Sequence, residues 1–72
     1  MGNENRKIDR KRGSFYRSIM EPKFSQEKWA ELLNVSARTV GYYYSGEREP
    51  GFWRQMMIFQ IIGGLKAEDI PS

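Results

Sequence analysis

Three consecutive residues, Asn34, Val35 and Ser36, constrain this chain more than any other feature. Asn is the usual substitute for glycine where a helix ends in the left-handed conformation, and Ser is a strong residue for starting the next helix. With only Val35 between them, two helices must meet at a turn too short for anything but a steep change of direction. Ser25 opens the helix that leads to this turn, standing before QEKWAELL with Glu27 in the first turn, where the helix dipole favours a carboxylate. Trp29, Leu32 and Leu33 form its apolar stripe, and Ala30 is small enough to admit another helix closely. The helix after the turn, ARTVGYYYS, stops at Gly46. The spacing therefore predicts a second helix over residues 25–33 and a third over 36–45.

The flanks complete the fold. Ser14 is a suitable N-cap for a first helix carrying Phe15 and Ile19 on one face, although Asp9 is an alternative cap for an earlier start. Pro22 disfavours the helical conformation at Glu21 and ends that helix. Pro50 suits the entry to a fourth helix, GFWRQMMIFQII, which ends at Gly63 and Gly64. The tail LKAEDIPS is expected to add a short turn, with Leu65 and Ile70 packing back on the core. Nothing alternates with period two for long enough to make a strand. The expected fold class is all-α, a compact bundle of four to five short helices containing a helix-turn-helix, as one domain over residues 14–72. Residues 1–13, with Ile8 as their one apolar residue after Met1, are expected to form a disordered basic arm.

Composition narrows the chemistry. The 72 residues are near the size at which a single core can still fold without staples. With no Cys and no His there are no disulfides and none of the usual zinc sites, which leaves only all-oxygen metal sites. Stability must come from apolar packing, a subunit interface included. The same absences remove the common acid, base and nucleophile arrangements, and Gly63-Gly64 lacks the flanking pattern of a phosphate loop. No enzyme activity, cofactor, metal or small-molecule substrate is expected. The basic start is not followed by the apolar run of a secretory leader, and Gln60 breaks the best apolar run far short of the ~20 residues needed to span a bilayer. An intracellular, soluble protein without a membrane partner is the expectation. Twelve Lys and Arg against nine Asp and Glu give +3, which favours a polyanionic partner. Arg6, Lys7, Arg10, Lys11 and Arg12 concentrate that excess in the arm.

Placed on a wheel at about 100° per residue from Ala37, Thr39, Val40 and Tyr43 share one arc, the core face. Ala37, Arg38, Gly41, Tyr42 and Ser45 gather on the opposite arc, and Tyr44 lies on the boundary, toward the fourth helix or a second chain. A glycine inside a helix costs about 1 kcal/mol relative to alanine. Gly41 is either tolerated drift or, with Ala37, a shallow place where the backbone can approach another surface between Arg38 and Tyr42. On the fourth helix apolar residues point nearly all round, with Arg54, Gln55 and Gln60 as the polar interruptions. A surface helix needs only one apolar stripe. The excess is expected to contact a second chain through Trp53, Met57, Ile58 and Ile61, or else to be hidden under the tail after Gly64.

Residues 24–50, FSQEKWAELLNVSARTVGYYYSGEREP, resemble the helix-turn-helix core of the Cro and lambda-type phage repressor family. The likeness rests on Phe24, Ser25, Gln26, Ala30, Val35, Ser36, Val40, Gly46, Arg48 and Pro50, with looser agreement on either side. It implies a bundle of about five helices whose third enters the major groove. Carried over by position, Ser36, Ala37, Arg38 and Tyr42 would meet base edges, Arg38 as a bidentate donor to guanine and Ala37 against a thymine methyl. Gln26 and Arg48 would hold phosphates, and the arm would wrap the duplex or enter the minor groove. The implied function is a sequence-specific double-stranded DNA-binding transcriptional regulator, a Cro-like repressor working in the cytoplasm, at the nucleoid, of a bacterial host. Dimerisation near the fourth helix would let it read two half-sites. A second reading is an antirepressor that modulates a phage genetic switch by binding a partner repressor, and a third is the antitoxin of a toxin pair. Two departures lower the expected affinity. Met20 stands where the family carries a basic residue or Gln on the first helix, and Glu47 and Glu49 dilute the charge of the loop.

Overall fold

The computed structural model describes residues 8–71, so Arg6 and Lys7 of the expected arm lie outside the described residues. Four α-helices, α1 (Arg10–Met20), α2 (Gln26–Leu33), α3 (Ala37–Ser45) and α4 (Phe52–Ile62), are followed by a single 3-10 turn, Ala67–Asp69. Among the described residues there is no strand, and the chain is an all-α bundle.

The turn between α2 and α3 is fixed by local chemistry. Asn34 takes the left-handed conformation at φ 59°, ψ 48°. Its N–H donates to the Glu31 carbonyl at 3.3 Å, and the Val35 N–H donates to the Ala30 carbonyl at 3.0 Å. These are the paired bonds that satisfy the last carbonyls of a helix closed by a left-handed residue. Val35 then packs against the core. Ser36 is extended, and its Oγ accepts the Thr39 N–H at 3.1 Å. Ser25 does the same for the Lys28 N–H at the start of α2. Each such cap stabilises its helix by about 1 kcal/mol.

The first helix takes the earlier of the two starts that the sequence offers. It begins at Arg10 rather than after Ser14, because the Asp9 side chain accepts the Arg12 N–H at 3.0 Å and caps it. The Asp9 N–H also donates to the Gly46 carbonyl at 3.0 Å, which ties this end of α1 to the end of α3. Residues 10–13, assigned to the arm on sequence grounds, are therefore the first turn of a packed helix. Phe15 and Ile19 lie at the margin of the buried face, whose centre is Tyr16 and Met20. Met20 is completely buried, so its position belongs to the core and faces no phosphate.

All four helices supply the core: Tyr16 and Met20 from α1, Trp29, Ala30 and Leu33 from α2, Val40 and Tyr43 from α3, Ile58 and Phe59 from α4. Polar atoms of two of these aromatic residues find partners, as low-dielectric surroundings require. The Trp29 indole N–H donates to the Met20 carbonyl at 2.7 Å, and Gln55 Nε2 donates to the Tyr16 hydroxyl at 3.1 Å. Arg54 Nε donates to the Leu33 carbonyl at 3.0 Å, which joins α4 to the end of α2. Leu65 and Ile70 fold back against the core, as the tail's pattern leads one to expect.

Candidate nucleic-acid interface

Val40 and Tyr43 are buried and hold α3 by one arc. On the opposite arc Arg38 and Ser45 are exposed or nearly so at the helix surface, and Ala37, Gly41 and Tyr42 are less open to solvent. Thr39 is also half-buried, at the edge of the core arc and not inside it. Ser36 is exposed, but its hydroxyl already accepts the Thr39 N–H and lies 3.0 Å from Thr39 Oγ1. The N-cap role thus occupies much of the hydrogen-bonding capacity that base reading would need.

Gln26 joins the two helices of the turn. Its Nε2 donates to the Ala37 carbonyl at 2.8 Å. A Cβ added to Gly41 would stand 3.1 Å from that same Nε2. The space beside Gly41 is therefore bordered by this chain's own Gln26. A carboxamide nitrogen carries two protons, so one donor of Gln26 remains for an anion.

Arg48 and Tyr42 form one unit. Gly46, at φ 88°, turns the chain back after α3. The Tyr42 carbonyl then accepts the Gly46 N–H at 3.0 Å, the Ser45 hydroxyl at 3.2 Å and the Arg48 N–H at 3.3 Å. The Arg48 guanidinium carbon sits 4.9 Å from the centroid of the Tyr42 ring.

The basic residues of α1 divide. Arg10 and Lys11 are exposed in a first turn that holds no acidic residue. Arg12 is engaged internally: it bonds the Glu49 carboxylate, donates from Nε to the Pro71 carbonyl at 3.2 Å and stands 3.5 Å from an Asp9 oxygen. Glu49 holds the Arg12 pKa above its ordinary value, chiefly through that hydrogen bond. Arg12 is a structural cation, and its expected place in a DNA-binding arm is corrected accordingly. Because Asp9 is bonded to Gly46, the first turn of α1 begins beside the loop that carries Arg48.

Tyr44, placed by its angle on the boundary toward the fourth helix or a second chain, packs against the core. Its hydroxyl is buried with no hydrogen-bond partner among the described residues. Burial pushes its pKa up to about 12, with Glu21 adding to the rise and Arg17 opposing it, so its charged surroundings are the end of α1.

On α4 the expected contact residues separate. Trp53 and Met57 are 76% and 40% exposed, whereas Ile58 is fully buried and Ile61 is half-buried against the core. Ile58 belongs to the core and is corrected as an interface residue. Phe52 and Met56, 64% and 48% exposed, complete the outer stripe and were absent from the contact residues expected from sequence. Positions 52, 53, 56 and 57 share one face at helical spacing, but so do the apolar residues 58, 59 and 62, so spacing alone does not mark the outer face. Beside the stripe an apolar groove of about 540 Å³ runs past Phe52, Met56, Phe59 and Leu65, with Gln55, Gln60 and Lys66 as its polar lining.

Among the described residues no group of three or more His, Cys, Asp and Glu side chains converges as a metal site, and no helix is long and apolar enough to cross a membrane. No family model, curated protein or solved structure matches the chain.

Proposed function

We propose that the chain is a sequence-specific double-stranded DNA-binding transcriptional regulator of the Cro-like kind, reading the major groove with α3. The observation that carries this reading is the division of α3: Val40 and Tyr43 are locked in the core while Arg38 and the Tyr42–Arg48 unit lie on the other side. A major groove about 12 Å wide admits one helix, and an exposed Arg near the helix start can present its fork to the edge of a guanine. Arg10 and Lys11 support the reading on independent grounds. Cations in the first turn oppose the positive end of the helix dipole, a local cost of about 0.3–1 kcal/mol each that a phosphate backbone alongside would offset. With Arg48 and the remaining donor of Gln26, they make a set of phosphate-binding groups around α3. In this role the protein would work at the nucleoid of a bacterial host.

Selection of bound sequences from random duplex DNA tests the reading. The expected result is an enriched motif, bound with an affinity that falls with salt at a slope of about −0.9 per phosphate engaged. Absence of both enrichment and salt-sensitive binding would sink it.

A second reading, an antirepressor that binds a partner repressor, is favoured by the exposed stripe of Phe52, Trp53, Met56 and Met57. Contiguous apolar surface on so small a domain marks contact with another chain. The same stripe would serve a homodimer reading two half-sites. Repeating the selection with candidate repressors present separates these: a tight complex with a repressor and no DNA binding by the protein alone favours the antirepressor.

A further inference from the structure

Resting on the reading of α3 as a DNA-binding helix, we propose that Tyr42 is a positioning residue. Its ring is a platform that holds the Arg48 guanidinium so that Arg48 takes a phosphodiester of the backbone bidentately, and Tyr42 itself reads no base.

The pair is built from both ends. At the backbone, the Tyr42 carbonyl gathers the loop by accepting from Gly46 N–H, Ser45 Oγ and Arg48 N–H. The turn that makes this possible needs the left-handed conformation of Gly46, and α1 fixes it from outside through the bond from Asp9 N–H to the Gly46 carbonyl. At the side chains, the 4.9 Å separation of guanidinium and ring lies within the roughly 6 Å reach of a cation–π contact.

The chemistry of the guanidinium says what the platform is for. Stacking uses the face of the group, while all five N–H donors lie in its plane and point outward from its edge. With its carbon over the ring and no hydrogen bond to it among the described residues, the guanidinium keeps its fork for a planar pair of acceptors, which a phosphate supplies. Rotamer freedom that a long side chain must give up on binding is already reduced in the stack. Of the two acids that flank Arg48, Glu49 is turned away to Arg12. Position favours backbone over base: Arg48 lies in the loop beyond the end of α3, whereas base edges are met by residues near the start of a recognition helix. With Arg48 over its ring, Tyr42 also has less aromatic face to offer a thymine methyl.

The test measures salt-dependent affinity for the selected duplex and for a random-sequence duplex, using Tyr42→Phe, Tyr42→Leu, Arg48→Ala and the double variant Tyr42→Leu/Arg48→Ala. Tyr42→Phe should retain both affinity and preferred sequence. Tyr42→Leu should weaken both duplexes alike by about two- to fivefold, and should cause no further loss in the Arg48→Ala background. Nuclear magnetic resonance of the free protein supplies a readout independent of DNA: the Arg48 side-chain protons should be shifted upfield by the ring in the parent and in Tyr42→Phe, and not in Tyr42→Leu. A change of preferred bases in Tyr42→Phe, or an equal loss from Tyr42→Leu with and without Arg48, overturns the proposal. If the parent binds neither duplex while the upfield shift is present, the DNA reading itself has failed, and the pair is a structural contact only.

Discussion

Gly13 lies directly against the backbone of Gly46, with no side chain between the two segments that carry them. A Cβ placed on Gly13 would stand 2.6 Å from the Gly46 nitrogen and 2.6 Å from the Tyr44 carbonyl oxygen. Gly46 is equally confined, since its own added Cβ would strike the Asp9 carbonyl. This contact seats α1 on α3 and thereby fixes the loop that carries Arg48.

Gly13→Ala is expected to destabilise the protein despite the helix propensity of alanine. The substitution gains up to about 1 kcal/mol of propensity. Backbone atoms cannot swing aside as a side chain can, so a net loss of about 1–3 kcal/mol is expected. Gly41→Ala is the control. There the added carbon meets only the Gln26 amide at 3.1 Å, a flexible group, and stability should change by less than about 1 kcal/mol. Urea unfolding of the two variants compares them, and an unchanged midpoint for Gly13→Ala would remove the close approach from the account.

The same pair of glycines marks where the sequence stops being legible. The α2–α3 turn could be read from Asn34, Val35 and Ser36 because its dihedrals and caps are decided by those residues themselves. The inward arc of Val40 and Tyr43 followed from helical period alone. The start of α1 did not: Asp9 and Ser14 are both acceptable caps, and the packing of Gly13 on Gly46, distant in the chain, selects Asp9. Gln26 over Gly41 and Arg12 on Glu49 are likewise pairings between separate elements that spacing does not encode. On α4, apolar residues on nearly every side hid which face was outer, so Ile58 was placed with Trp53. The base-reading residues remain a proposal, because no local rule distinguishes a reading arc from a solvated one.

Arg12 and its neighbours should separate by function. Arg12→Ala should lower the melting temperature, because it releases Glu49, Asp9 and the Pro71 carbonyl together, while leaving the salt slope of DNA binding unchanged. Lys11→Ala and Arg10→Ala should leave the melting temperature nearly unchanged and reduce that slope by about 1 each. Melting curves and salt titrations on the same three variants check the assignment, which fails if Arg12→Ala lowers the slope without lowering the melting temperature.

Arg38→Ala should relax preference at one or two base pairs and cost about 1–3 kcal/mol on the selected duplex, with little effect on a random one. Its exposure on α3 predicts no loss of stability. Comparing selected motifs for parent and variant decides the matter. Unchanged base preference would take Arg38 out of the reading role.

On α4, exposure predicts opposite behaviour for two apolar residues. Trp53→Ala should leave unfolding nearly unchanged, since three-quarters of the residue is already in water, but should weaken self-association or capture of a partner repressor. Ile58→Ala should cost about 2–5 kcal/mol of stability, as deletion of a fully buried side chain does. Sedimentation and chemical unfolding on both variants read the two effects. Equal association by Trp53→Ala and the parent would end the case for the stripe as a contact surface.

The Tyr44 hydroxyl predicts an alkaline limit to stability. It is buried without a hydrogen-bond partner among the described residues, and its pKa stands at about 12, above the ordinary 10. Burial also raises Tyr16 and Tyr43. A pKa raised in the folded state means that the unfolded chain releases its proton first as pH rises. The contribution to stability is therefore fully present below about pH 10, where both states hold the proton. It is lost as pH climbs through about 12, where the folded protein must either ionise a buried group or unfold. Tyr44→Phe removes both the unpaired hydroxyl and the ionisation. At neutral pH it should be as stable as the parent or more so, by up to about 1 kcal/mol, and its alkaline unfolding midpoint should lie higher. Circular dichroism and phenolate absorbance followed together against pH test this, and coincident alkaline midpoints for variant and parent would place the limit on another group.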